Sequence, residues 1–262
     1  MTESVVMEVE DGVLTATLNE PATMNALSPA ISQGIFDALE RANQDEAVRV
    51  LVLTGSGRGF CAGAAVGGVG GGGQAPSRRA RLDQQGSSAR TMQAFSSCEV
   101  PVIAAVNGVA VGAGFGIALC CDVRILAESA RMGSIFIKRG LASDYGVAYW
   151  LPRIIGMGRA CDLMYSGNIL DSAACLSLGL ANRVVQDDAL LAEAKAYARM
   201  IADGPPLAYT LVRRMLQRGG DMPLGDFAEY EWSNQRLLLG SKDVAEGFRS
   251  FIEKRPARFT GE

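Results

Sequence analysis

Apolar and polar residues alternate over residues 5–9 and 13–18 on either side of Asp11-Gly12, the pattern of a two-stranded hairpin. Ser28-Pro29 then marks a helix start, serine to cap free N–H groups and proline in the first turn. Ile31, Ile35, Phe36 and Leu39 follow at helical spacing, so an amphipathic helix is expected to about Asn43. Apolar runs at 50–54 and 101–106 read as buried strands, and each ends in a glycine-rich turn, Gly55-Ser-Gly-Arg-Gly-Phe60 and Asn107-Gly108. The second turn leads into 111–121, apolar all round and so expected to be a buried helix, and 122–126 reads as a further strand. Beyond Gly156 strand patterns nearly vanish. Helical ones follow at 159–165, 172–178, 190–202, 207–217, 227–239 and 244–251. Strand–helix alternation predicts an α/β fold with a mostly helical carboxyl third.

Composition narrows the classes. A chain of 262 residues, 48% hydrophobic and 20% charged, is long enough to close its own apolar core. A net charge of -3 supplies no global field for nucleic acid or an anionic membrane, so an anionic ligand must be met by local cations. No apolar run has membrane-spanning length, and residues 1–10 lack a signal-peptide pattern, so a cytoplasmic location is the expectation. The six cysteines show no C-x-x-C spacing and sit in apolar or helical surroundings, which predicts buried free thiols. Histidine is absent. That excludes Ser-His and Cys-His nucleophiles, a histidine base and a His-based zinc site, and no metal is expected.

The glycine-rich turns raise a nucleotide site first. Gly55-x-Gly57-x-Gly59 does not continue as G-x-G-x-x-G, and no P-loop sequence occurs. The better physical use is an oxyanion hole, with two turns at helix starts each offering a free backbone N–H to one oxygen. Phe60-Cys-Ala-Gly-Ala64 and 107–116 are the two candidates.

Gly59-Phe-Cys-Ala-Gly-Ala64, followed by Pro101-Val-Ile-Ala-Ala-Val-Asn-Gly-Val-Ala-Val-Gly-Ala-Gly114, closely resembles the crotonase (enoyl-CoA hydratase/isomerase) superfamily. The likeness continues in Asn25-Ala-Leu27, Cys121-Asp-Val-Arg124, Leu151-Pro-Arg-Ile-Ile-Gly156 and Phe251-Ile-Glu-Lys-Arg255. It implies the ClpP/crotonase-like spiral of β-β-α units, with a core over 1–200 and a helical trimerisation region over 201–262. Trimers, or hexamers of two trimers, are the implied assembly. The implied oxyanion hole is the N–H pair of Ala64 and Ala113, the latter an alanine where the family usually has glycine. The implied ligand is an acyl-CoA thioester, with coenzyme A entering as part of the substrate and no cofactor held permanently.

Hydratases of this superfamily hold water with two glutamates, and the matching positions here are Gly116 and Phe136. Asp144, in Gly140-Leu-Ala-Ser-Asp144-Tyr-Gly146, instead resembles the catalytic aspartate of dienoyl-CoA isomerases, ring-modified phenylacetyl-CoA isomerases and 4-chlorobenzoyl-CoA dehalogenase. The alternative role for Asp144 is to cap a helix running to about Leu151. The dehalogenase chemistry also needs a histidine and is set aside. The reading is an enoyl-CoA isomerase in which Asp144 moves a proton in a partly desolvated site. Phe136 and Tyr145 are its expected acyl pocket, and Trp150 could add a further apolar wall. An atypical hydratase or lyase of fatty-acid or aromatic-acid degradation and a catalytically degenerate acyl-CoA-binding subunit are the alternatives.

The resemblance places the adenine against the backbone of Ala62, Ala64 and Val66 and directs Lys254 toward the nucleotide of a neighbouring subunit. Arg255 and the Arg78, Arg79 and Arg81 cluster are further cation candidates. Ala22, Thr23 and Met24 stand where the family often has a cation before N-A-L. The glycine run 67–73 is expected to form a mobile loop, and the 67–90 region to line the acyl pocket.

Overall fold

A computed structural model describes residues 3–65, 77–78, 82–83 and 85–262. The glycine run, Val66, Arg79 and Arg81 lie outside them, and with them the readings made there.

The opening hairpin forms as expected. Strands β1 (Val5–Glu10) and β2 (Val13–Leu18) pair antiparallel, and Asp11 and Gly12 take positive φ of 52° and 80° at the turn. Helix α1 (Pro29–Gln44) follows, its N-terminus capped by the Ser28 hydroxyl, which accepts from the Ile31 N–H. It buries Ile31, Ile35, Ala38, Leu39 and Ala42 along one stripe.

From there the chain winds between two sheets. β3 (Val50–Gly55), β5 (Val102–Val106), β7 (Val123–Ala127) and β10 (Arg183–Val185) extend the first sheet in parallel, in the order β1-β2-β3-β5-β7-β10. After β3, β5 and β7 the chain crosses to a second sheet through a three-residue strand, β4 (Gly59–Cys61), β6 (Val109–Val111) and β8 (Arg131–Gly133) respectively. These are parallel neighbours, and β9 (Leu170–Asp171) closes the edge antiparallel to β8. Helices α2 (Gly86–Ser96) and α3 (Ala113–Cys120) return the chain to the first sheet. Each turn of this β-β-α spiral thus gives one strand to each sheet, the expected crotonase architecture.

The other α-helices among the described residues are α4 (Val147–Ile155), α5 (Met157–Ser166), α6 (Ser172–Ser177), α7 (Leu190–Ala202), α8 (Pro206–Gly219), α9 (Leu224–Leu238) and α10 (Lys242–Glu253). α7 packs across β2, β3, β5 and β7. The core is continuous, with Leu14, Leu53, Phe60, Ile103, Phe115 and Ile117 among its fully buried side chains. Burying a side chain of that size contributes roughly 1.5–3 kcal/mol.

Two boundaries are corrected. The helix expected over 111–121 spans Ala113–Cys120, because Val111 belongs to β6 and Gly112 breaks the chain direction with φ 57° and ψ -122°. The helix expected to start near Asp144 starts at Val147 after a Tyr145-Gly146 turn in which both residues have positive φ. All six cysteines are free, five buried and Cys161 half-buried. No helix among the described residues is long and apolar enough to cross a membrane, and they contain no cluster of metal-binding side chains.

Candidate active site

The two glycine-rich turns meet because β4 and β6 are parallel neighbours, Gly59 opposite Val109 and Cys61 opposite Ala110. Parallel strands deliver their carboxyl ends to the same side, so the turn after β4 and the turn after β6 must lie together. The contact is close. A Cβ on Gly63 would stand 2.9 Å from the Val111 carbonyl oxygen and 3.5 Å from the Ala113 nitrogen. One on Gly114 would stand 2.0 Å from the Cys61 carbonyl oxygen, so only glycine lets α3 approach the first turn.

Ala113 is the first residue of α3, where a helix N–H has no intrahelical acceptor. Among the described residues, neither its N–H nor that of Ala64 donates to any oxygen. The neighbouring donors are used: Ala62 N–H reaches the Met24 carbonyl at 3.0 Å and Gly112 N–H the Gly133 carbonyl at 3.1 Å. Two unspent donors at adjacent turns, one on a helix N-terminus, can stabilise negative charge growing on one oxygen.

Two asparagines hold the first turn, a role that sequence reasoning missed. Asn25 is fully buried; its amide donates to the Ser56 and Gly59 carbonyls at 3.0 and 2.7 Å, and its Oδ1 accepts from Glu20 N–H. Asn107 accepts from Gly55 N–H at 3.0 Å and donates to the Gly57 and Gly59 carbonyls. The Leu27 N–H donates to the Gly63 carbonyl at 2.8 Å, strapping the 25–27 segment to the same turn. An asparagine directly after a strand and before glycine, as at 107, was the available signal.

Asp144 stands one residue before the turn that packs on α3. A Cβ on Gly116 would lie 2.5 Å from the Tyr145 carbonyl oxygen and 2.6 Å from the Tyr145 Cβ. Gly116 is one helical turn from Ala113, about 4.5 Å along the axis, so the 144–146 turn packs on α3 about one turn from its first residue. Asp144 does not cap α4. Its Oδ1 accepts from Tyr145 N–H at 2.9 Å, and the helix has Gly146 at its N-cap. The expected partial desolvation is not present in the chain by itself, where Asp144 is exposed.

Tyr145 is half-buried, its phenol within hydrogen-bonding reach of Ser87 on α2, and burial raises its pKa. Phe136, half-buried against the core, opens a short 3-10 helix directly after Ile135, which faces Gly112. Trp150 also packs against the core. Cys61, beneath the first turn, is no nucleophile: burial pushes its thiol up to about 12.

The cation candidates divide. Lys254 is exposed, takes φ 53° at the end of α10 and has no ion pair among the described residues. Arg255 is paired with Glu246 and Glu253. Arg78 is exposed. A groove of about 760 Å³ between Lys242, Glu246, Arg249, Arg255 and Arg258 is lined by residues 242–260 alone, and two of its cations are already paired, Lys242 with Glu262 and Arg255 with Glu246.

Residues 8–262 match the family model described as enoyl-CoA hydratase/isomerase. Similar proteins include a "Probable enoyl-CoA hydratase" of Rhodobacter capsulatus, 37% identical over 97% of this chain and 96% of that protein. The 1,2-epoxyphenylacetyl-CoA isomerase of Escherichia coli is 34% identical over 100% of both chains. The solved enoyl-CoA hydratase of Bacillus anthracis superposes with a TM-score of 0.92 at 31% identity, covering 99% of this chain and 100% of that one.

Proposed function

Because the chain belongs to the enoyl-CoA hydratase/isomerase family of the crotonase superfamily, we propose that it is an enoyl-CoA isomerase in which Asp144 moves the proton. The observation that carries this reading is Tyr145, next to Asp144, seated on Gly116 of the helix that Ala113 opens, with Ala64 and Ala113 N–H groups that find no acceptor among the described residues and phenylalanine at 136. One acid is enough for a double-bond shift. The thioester oxygen of a 3-enoyl-CoA accepts from both amides, which acidifies C2; the Asp144 carboxylate takes a C2 proton and the electron pair passes into the carbonyl as a dienolate. The carboxyl then returns the proton to C4 as the double bond settles between C2 and C3. No atom is gained or lost, and no water is consumed.

Coenzyme A is proposed to lie with its adenine against the backbone of Ala62 and Ala64, and the acyl chain against Phe136 and Tyr145. The exposed Lys254 would reach the nucleotide of a neighbouring subunit.

Asp144→Asn keeps the size and removes the base, so conversion of a 3-enoyl-CoA should fall about 10²–10⁴-fold with acyl-CoA binding retained. Unchanged turnover would remove Asp144 from the chemistry. The exposure of Asp144 to solvent and the hydratase names of the R. capsulatus and B. anthracis relatives favour a second reading, in which Asp144 positions a water. Crotonyl-CoA separates the two: a product heavier by one water supports hydration, recovered substrate supports isomerisation. Binding of every thioester with turnover of none would leave an acyl-CoA-binding subunit.

A further inference from the structure

The turn that carries Asp144 is clamped. The Tyr145 carbonyl presses on Gly116, where any Cβ would approach it to 2.5 Å, closer than real side chains come to backbone. The Cys120 thiol, one turn further along α3, reaches the same carbonyl at 3.8 Å. On the other side Gly146 lies against Met92 of α2, whose methyl would be 2.8 Å from an added Cβ. The helix cannot yield: all eight residues of α3 are buried, and Gly114 already holds the Cys61 carbonyl against it. The turn is the softer partner, since Asp144 is exposed and Tyr145 and Gly146 both stand at positive φ.

We infer that Gly116 is a positioning residue whose missing side chain is the seat of the Asp144 turn, so that in this chain a side chain at 116 displaces that turn. The inference rests on the reading of Asp144 as the proton-transfer group. It also explains the single acid: a carboxylate at 116 would displace the turn that brings the one at 144. Gly116→Glu should therefore lose the double-bond shift without restoring a two-acid site.

The test uses the full chain. Gly116→Ala and Asp144→Asn are compared with the parent for kcat and KM on a 3-enoyl-CoA, the pH dependence of kcat, and the Kd of butyryl-CoA, which lacks the double bond. A misplaced Asp144 should cost Gly116→Ala about 10²-fold in kcat and shift its pH profile, with Kd for butyryl-CoA held within about twofold of the parent. Parent-like kcat and pH profile in Gly116→Ala, alongside lost turnover in Asp144→Asn, overturns the inference and leaves the function standing. Parent-like turnover in Asp144→Asn removes the function reading instead. Should a methyl at 116 prevent folding, Gly146→Ala, with φ 74° and Met92 behind it, disturbs the same turn without touching α3. The same kcat loss supports the clamp, and a parent-like kcat overturns it.

Discussion

Gly112 takes the backbone conformation that only glycine holds easily, φ 57° and ψ -122°, and so spares Ala113 from needing it. This is why an alanine serves where relatives often carry glycine: as the first residue of α3 it has ordinary helical geometry and only its N–H is wanted. The first helical position also accepts proline, and ψ near -120° at a preceding glycine mirrors the extended form that prolines prefer before them. Ala113→Pro should therefore keep the fold while deleting one donor, lowering kcat by about 10²–10³-fold. Ala113→Gly retains the donor and should stay close to the parent. Steady-state turnover of a 3-enoyl-CoA, with circular dichroism as a folding control, decides both.

The site depends on elements more than on side chains. Buried polar anchors hold these elements, and Arg213 of α8 is one of them. Its side chain is 6% exposed; it donates to Asp122 at 2.8 Å and to the carbonyls of Phe95, Ser96 and Cys98 at the end of α2. Removing one partner of such a pair leaves charge and carbonyls unpaid in a low-dielectric place, so Arg213→Ala should cost about 3–5 kcal/mol. Urea unfolding measures it. Arg124 plays a matching part at the carboxyl end of α3, where it donates to the Cys121 and Leu180 carbonyls at 2.7 Å.

At this scale the long strands and the amphipathic helices were legible, because burial writes alternation, a continuous apolar run or a helical stripe over five or more neighbouring residues. The three-residue strands β4, β6 and β8 were not. Gly59-Phe-Cys61 and Val109-Ala-Val111 are too short to show a period, and their pairing comes from neighbours far along the chain. Helix α2 was equally hidden, since Gly86–Ser96 is built from small and polar residues and buries only Thr91 and Phe95.

For the whole molecule, the carboxyl helices keep an apolar surface that their own chain does not cover. Leu216, Leu224, Leu237, Phe248, Phe251 and Ile252 are 69–83% exposed. Self-association through this region is the proposed reason, and sedimentation should give three or six times the 27.6 kDa chain. A single-chain mass would refute it. The tail beyond α10 is fastened separately. Arg255 beside Glu246 holds that carboxyl at about 2, and Glu246 also accepts from Arg258 N–H at 2.9 Å. A carboxyl lowered on folding contributes above its unfolded value and loses that contribution as pH falls. Exchange protection of the Arg258 amide should thus persist at neutral pH and fall away between about pH 4.3 and 2.

The amino-acid sequence by itself determined the class of fold, the free thiols, the exclusion of histidine chemistry and the two glycine motifs, since each follows from local pattern or composition. Only the tertiary structure decided that the motifs meet, that the Ala64 and Ala113 N–H groups find no acceptor among the described residues, and that Gly116 gives its space to the Asp144 turn. The physical reason is that hydrophobic period is written into neighbouring residues, whereas adjacency of parallel strands and the volume left by an absent side chain are set by parts of the chain that sequence spacing keeps apart.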